Sequence, residues 1–236
     1  MTFHTTRWTL VRHATGHSAE GRRALSDLCA AYYKPVVAFM RREGFEEDAA
    51  RDLAHDFFRQ LLERPSLQGA NRAEGRFRNY LLGAIKHFLA HERERGNRLK
   101  RGGGTIPLPL DAGTDTSPGV VLADHNELSP DKFFDRQWAL AVLERAFAAL
   151  ETEREAAGKD AEFARLKPWL TGDAVYGDQV EAARGLGLSE GALKVTVHRL
   201  RRRFRELLKA EIAQTLDTPE AVEEEMRHLF SALGSA

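Results

Sequence analysis

The sequence has almost no cysteine, since Cys29 is the only one among 236 residues. One cysteine excludes an internal disulfide framework and any zinc site built from cysteine ligands, and it fits a reducing compartment. No apolar run approaches the roughly 18 residues of a membrane-spanning helix, so we expect neither export nor membrane insertion but a cytoplasmic protein. A net charge of zero argues against a uniformly basic nucleic-acid coat, and 42% hydrophobic residues exclude global disorder.

The net charge of zero is the sum of strongly charged segments of opposite sign. Residues 43–63 carry seven acidic and two basic residues, whereas residues 72–101 carry nine basic and three acidic ones. A second basic segment, residues 189–209, has seven basic and two acidic residues. Residues 102–135 and 211–228 each have six acidic residues and one basic residue. Such blocks are typical of a chain with basic ligand surfaces and separate acidic ones.

Apolar residues recur at steps of three and four along most of the chain, and no alternating strand pattern is present. This periodicity predicts an all-α fold. The first helices are expected over residues 19–33, 35–44, 46–63 and 76–95, with breaks at Pro35, Gly44, Pro65 and Gly96.

Periodicity is lost between Gly96 and Pro130, where glycine and proline are frequent, and it resumes at Asp131. We therefore predict two helical domains, residues 1–101 and 131–210, joined by a flexible linker over residues 102–130. An acidic C-terminal extension, residues 211–236, is expected to form one more helix.

The residues on either side of Gly187 have the sequence form of a helix-turn-helix. A short helix with Ala182 and Ala183 leads into a glycine-containing turn, and Ser189 is placed to cap a long helix to about Lys209. In that helix one face is apolar and the opposite face is basic. An ordinary solvated basic face is the alternative interpretation, but the turn and the cap favour DNA binding.

The helix over 76–95 combines aromatic and basic residues, a combination that suits single-stranded nucleic acid. Phe77, Tyr80 and Phe88 lie on its apolar stripe, however, and are expected in the core. Binding would then rest on the polar residues of the helix and on its basic end.

Three motifs together resemble one family, the extracytoplasmic-function (ECF) sigma factors of bacterial RNA polymerase. Residues 52–58 (DLAHDFF) resemble the core-binding helix of region 2, and residues 77–89 (FRNYLLGAIKHFL) resemble its promoter-melting helix. Residues 189–203 (SEGALKVTVHRLRRR) resemble the recognition helix of region 4. His55 and Thr196 depart from the residues that are common in the family, which leaves the recognised bases open.

The resemblance implies a sigma region 2-like bundle, a sigma region 4-like domain and three contact surfaces. Core polymerase, through its β′ coiled coil, would contact Asp52, Leu53, Asp56, Phe57 and Phe58. The minus-ten element would contact Arg76, Arg78, Asn79, Lys86, His87, Arg93 and Arg95. The minus-thirty-five element would contact Ser189, Glu190, Lys194, Val195, His198, Arg199 and Arg202. The polymerase β flap, promoter DNA and an anti-sigma factor are the other implied partners.

Two other function classes fit parts of the sequence. A metal hydrolase or nuclease could use His87 and His91, which are spaced i,i+4, but the His-Glu-x-x-His pattern is absent. We therefore expect no enzyme activity, cofactor or metal. A helix-turn-helix repressor or activator explains the C-terminal basic segment but gives the acidic residues 43–63 no role. The C-terminal extension is expected to pack on the second domain, and one hypothesis is that it restrains DNA binding.

Overall fold

The computed structural model describes Arg7 and residues 19–63, 76–102, 128–171, 178–216 and 218–234. These residues confirm the all-α prediction, since they form helices and a single β-bridge between Arg76 and Leu216. In chain order the helices are α1 (Ala19–Arg42), α2 (Glu47–Glu63), α3 (Phe77–Gly102), α4 (Pro130–Ala156), α5 (Asp160–Leu166), α6 (Pro168–Thr171), α7 (Asp178–Gly185), α8 (Glu190–Ala213) and α9 (Val222–Gly234). A 3₁₀ turn, Pro219–Ala221, precedes α9.

Helix α1 is continuous, so the predicted break at Pro35 is wrong. A proline inside a helix removes one hydrogen bond and clashes with the preceding turn, at a cost of about 3 kcal/mol. Here Pro35 is itself buried, and Tyr32, Val36 and Phe39 around it are almost completely buried. Tertiary packing of this stripe outweighs the local cost. Helix α3 also continues through Gly96 to Gly102, so the predicted end near Gly96 is wrong as well.

Helix α4 begins where the sequence loses its glycine and proline. Ser129 is the N-cap and its Oγ accepts a hydrogen bond from the Lys132 amide at 3.3 Å, while Pro130 occupies the first turn. Gly158, at φ 65°, separates α4 from α5, and Pro168 starts α6 after the end of α5. The helical chain is therefore interrupted at Gly158 and again just before Pro168.

One buried cluster joins helices from both predicted domains. It includes the apolar stripes of α1, α2 and α3 together with residues from the first half of α4, the end of α8 and α9, namely Phe134, Trp138, Val142, Ile212, Met226 and Leu229. The rings of Phe39 and Phe134 meet edge to face at 5.8 Å. The two-domain arrangement is thus not confirmed, and most of the predicted linker, residues 103–127, lies outside the described residues.

A second, smaller cluster contains the helix-turn-helix. It consists of Leu150, Phe163, Leu166, Ala183, Leu193, Val197 and Leu200. Helix α4 belongs to both clusters, because its first half packs on α1 and Leu150, near its end, packs in this second cluster.

The C-terminal extension folds as a helix, as expected. Helix α9 buries Met226 and Leu229 and contacts α4 and α8. The connection between α8 and α9 also reaches the start of α3, where the Phe77 amide donates to the Thr215 carbonyl at 3.1 Å. The extension therefore packs on residues of both predicted domains.

Candidate nucleic-acid interface

Helices α7 and α8 are joined by a turn whose shape depends on Gly187. Gly187 has φ 65°, a left-handed conformation that a residue with a Cβ adopts only with strain. The Leu188 amide donates to the Ala183 carbonyl at 2.9 Å and the Gly187 amide to the Arg184 carbonyl at 3.1 Å, which is a Schellman motif. The local sequence alone thus ends α7 and sets the direction of the following chain.

Ser189 starts α8 immediately after this turn. Its Oγ accepts a hydrogen bond from the Ala192 amide at 3.2 Å and so caps the helix. Leu193, Val197 and Leu200 face the second cluster, where Ala183 of α7 is also buried. The short side chain of Ala183 permits the close approach of the two helices that a helix-turn-helix requires.

The N-cap and the first four turns of α8 present all of the residues predicted for the minus-thirty-five element. Each of the seven is exposed: Ser189, Glu190, Lys194, Val195, His198, Arg199 and Arg202. Val195 is a large apolar side chain that is 50% exposed. An apolar group between donors and acceptors on one face suits the major groove, where thymine offers a methyl group.

The basic residues of α8 differ in whether they form ion pairs. Lys194, His198 and Arg199 form no ion pair with any residue that the structure describes. Farther along, Arg203 pairs with Glu153 at 2.6 Å and with Glu206 at 3.1 Å, and Arg202 pairs with Glu206 at 3.3 Å. The hydrogen bonds that Arg203 donates to Glu153 and Glu206 raise the pKa of Arg203. Lys194 and Arg199 are therefore unpaired among the described residues in the N-terminal half of α8, and the helix dipole is positive at that end. Arg205, farther along α8, likewise forms no ion pair with a described residue.

Acidic residues on α2 form an exposed row, which we call the α2 acidic row. It consists of Asp48, Asp52 and Asp56, one turn apart, all exposed. Asp56 pairs with Arg59 at 3.0 Å on the surface, and Leu53 is half-buried. The predicted polymerase-contact residues Asp52, Leu53 and Asp56 are thus brought together.

Phe57 and Phe58 do not belong to this surface. Their exposed fractions are 4% and 7%, and both lie in the main buried cluster. The Phe57 ring meets the Phe88 ring of α3 at 5.5 Å. We correct the prediction for these two residues: they pack α2 against its own neighbours and are not available to a partner.

The predicted minus-ten residues on α3 are placed very differently from one another. Lys86, His87, Arg93 and Arg95 are exposed, and Arg76 and Asn79 are half-buried. Arg78 is 5% exposed, with its guanidinium 4.8 Å from the centre of the Trp138 ring. In this structure Arg78 is buried within the protein, which corrects its assignment to an open DNA-binding face.

Every one of the five predicted minus-ten cations pairs with a carboxylate of the chain. Arg76 lies 2.7 Å from Glu224, Arg93 lies 2.6 Å from Glu43, and Arg95 lies 3.9 Å from Glu92. Lys86 pairs with Asp131 at the start of α4. Arg78 pairs with Asp135 of α4 and, at 3.1 Å, with Glu225 of α9.

Burial alone would lower the pKa of Arg78, but the attraction of Glu225 and Asp135 raises it above the ordinary value. Sequence reasoning missed Glu225 and Asp135, although a signal was present. Glu225 lies on the apolar stripe of α9, three residues after Val222 and four before Leu229. A carboxylate on such a stripe requires a partner.

The two histidines considered for a metal site lie close together on α3. The ring centres of His87 and His91 are 4.5 Å apart, and His91 lies 4.0 Å from Glu94. His55 instead stacks on Tyr33 with ring centres 5.2 Å apart. Among the residues that the structure describes, no three histidine, cysteine or acidic side chains are grouped so that they could hold a metal ion.

Comparisons of this chain with protein-family models, with curated proteins and with solved structures give no match. None of the helices over the described residues is both long enough and apolar enough to cross a membrane.

Proposed function

We propose that this chain is a sigma factor of bacterial RNA polymerase that acts in the cytoplasm. The observation that carries the proposal is the helix-turn-helix of α7 and α8, with an exposed face at the capped N-terminus of α8. Lys194, His198 and Arg199 have no ion partner among the described residues, so they are available for phosphates and base edges of the minus-thirty-five element.

The α2 acidic row supplies the second surface that a sigma factor needs. Asp48, Asp52 and Asp56 would face basic residues of the β′ coiled coil, and opposite charges accelerate encounter. Leu53 beside them offers a half-buried apolar contact. Because the side chains of Phe57 and Phe58 are buried in the core, the affinity for polymerase would depend on Asp48, Asp52, Leu53, Asp56 and their neighbours.

Helix α3 would contact the minus-ten element through its exposed polar residues. Lys86 and His87 lie side by side on its exposed face, and Arg93 follows two turns later. Lys86 and Arg93 each have an exposed ion pair, and exposed pairs contribute only about 0–1 kcal/mol, so phosphates could replace their carboxylate partners.

One observation favours a second candidate, a helix-turn-helix repressor or activator. The five predicted minus-ten cations of α3 pair with carboxylates, whereas Lys194 and Arg199 of α8 form no ion pair with a described residue, so α8 offers the more accessible basic surface in the described conformation. Such a protein would bind duplex DNA tightly on its own, without polymerase. The α2 acidic row has no role in this alternative.

Run-off transcription on genomic fragments, with core polymerase in the presence or absence of this protein, separates the two candidates. A sigma factor is expected to create new start sites. The double variant Asp52→Arg, Asp56→Arg should then lose both core binding and the new transcripts. The matched control is Glu155→Arg, Asp160→Arg, which makes the same change in net charge at two exposed acids elsewhere. No new transcripts, together with tight binding to duplex DNA, would reject the sigma proposal.

A further inference from the structure

A carboxylate–guanidinium cluster connects α9 to the start of α3 and to α4. Glu225 is 1% exposed, and its Oε1 accepts a hydrogen bond from Arg78 Nε at 3.1 Å. Its Oε2 lies 3.0 Å from Arg76 Nη1, within ion-pair distance but without hydrogen-bond geometry. Asp135 holds the other side of Arg78 and lies 3.0 Å from His228 Nε2.

The start of α3 is also held through the backbone. Arg76 pairs with Leu216 in a β-bridge, and the Phe77 amide donates to the Thr215 carbonyl. The connection between α8 and α9 therefore lies against the two arginines that the sequence assigns to the minus-ten element. The extension covers this part of α3 and not the free N-terminal face of α8.

A charged cluster is not the simplest way to attach a helix. Removing two charges from water is costly, and apolar side chains of similar volume often hold helices as well or better. An ion pair has a different property, because its partner can be exchanged for another anion of similar geometry. A guanidinium binds phosphate and carboxylate through the same fork of donors.

We propose that α9 is an internal competitor for the nucleic-acid backbone. Glu224 and Glu225 occupy the guanidinium groups of Arg76 and Arg78, and the chain opens at this cluster when phosphates of the melted strand replace the carboxylates. This inference rests on the proposed sigma function, since that function assigns the two arginines to DNA.

The placement of α9 fits a helix that is released. It has 13 residues and follows the short 3₁₀ turn, and Glu224 and Phe230 are exposed. Met226, Leu229 and the partly buried Val222 and Leu233 pack on the main cluster, and the ion pairs of Glu224 and Glu225 add to this apolar attachment. The carboxylates of α9 thus hold it in place and at the same time mimic the ligand.

The test is the isosteric variant Glu225→Gln in the full chain, with Glu223→Gln as the matched control. Glu223 lies two residues earlier on the same helix and pairs with Lys209 of α8 instead of α3. Two measurements are made: hydrogen exchange of residues 218–234 and 76–81, and binding to a forked oligonucleotide with a single-stranded A/T-rich arm. If Glu225→Gln does not fold, Glu224→Gln at the exposed Arg76 pair is the second variant.

Glu225→Gln should accelerate exchange in both segments by about tenfold or more, because it loses a charge-assisted hydrogen bond. Once Arg76 leaves Glu224 and Arg78 leaves Asp135 for phosphates, the salt dependence of binding to the single-stranded arm should also steepen by about 1.4 in log–log slope. Glu223→Gln should change neither. Unchanged exchange, or faster exchange without tighter binding, would overturn the proposal.

The run-off assay keeps this inference separate from the proposed function. New transcripts with the wild-type chain and no gain in exchange or binding with Glu225→Gln would reject the competitor and leave the sigma function standing. No transcripts with either chain, but a clear gain in exchange and in binding with Glu225→Gln, would reject the sigma function and support the competitor.

Discussion

Replacing Gly187 by alanine should destabilise the helix-turn-helix. Gly187 has φ 65°, and a Cβ built on it would meet no atom within 4 Å, so the cost is backbone strain alone. For a residue with a side chain the left-handed conformation costs roughly 1–2 kcal/mol. We therefore expect Gly187→Ala to lower the free energy of unfolding by about 1 kcal/mol, or the melting temperature by about 2–4 °C.

The matched control is Gly83→Ala, in the middle of α3. A Cβ at Gly83 also meets nothing within 4 Å, but its φ is ordinary, so alanine should stabilise the helix by up to about 1 kcal/mol. Urea unfolding followed by circular dichroism measures both variants. Gly187→Asn should lose less than Gly187→Ala, because asparagine tolerates the left-handed region. If the two alanine substitutions changed stability in the same direction, the account of the turn would be refuted.

Three further outcomes follow from the structure. Phe58→Ala should lower the free energy of unfolding by about 3–5 kcal/mol in urea titrations. Asp52→Arg, on the exposed α2 acidic row, should change that free energy by at most about 0.5 kcal/mol. Equal effects would refute the division of α2 into a core face and a contact face. Lys194→Ala with Arg199→Ala should reduce the salt-dependence slope of duplex binding by about 1.8, and an unchanged slope would show that these cations do not contact phosphates. Burial raises the pKa of the Cys29 thiol to about 12, so native protein should react with a thiol reagent at pH 8 far more slowly than unfolded protein, as measured by absorbance.

The elements that the sequence predicted well are those with local causes. The turn before α8 follows from Gly187 and Ser189 alone, and the stripes of α2 and α3 follow from apolar spacing. The predicted break at Pro35 is wrong because propensity rules describe isolated helices. In the folded chain Pro35 is surrounded by buried side chains, and their packing decides the local structure.

The sequence predicted which residues of the candidate site are exposed on α8, but it did not predict which residues of the site contact one another. All seven residues assigned to the exposed face of α8 are exposed, because helical spacing places them opposite the apolar stripe. Arg78 was assigned by motif, yet it lies on the buried side of α3, three residues before Leu81 and seven before Ile85. Its partners are 57 and 147 residues away in the sequence, and no local pattern encodes pairings over such distances.

Helix α4 spans the distance between the two buried clusters. Its 27 residues make a rod about 40 Å long, with Trp138 in one cluster and Leu150 in the other. The spacing and relative rotation of the α2–α3 surface and the α8 surface are therefore set by α4 together with α8, whose Leu208 and Ile212 also lie in the first cluster. One residue inserted between Trp138 and Leu150 would turn one cluster against the other by about 100° and lengthen the rod by about 1.5 Å.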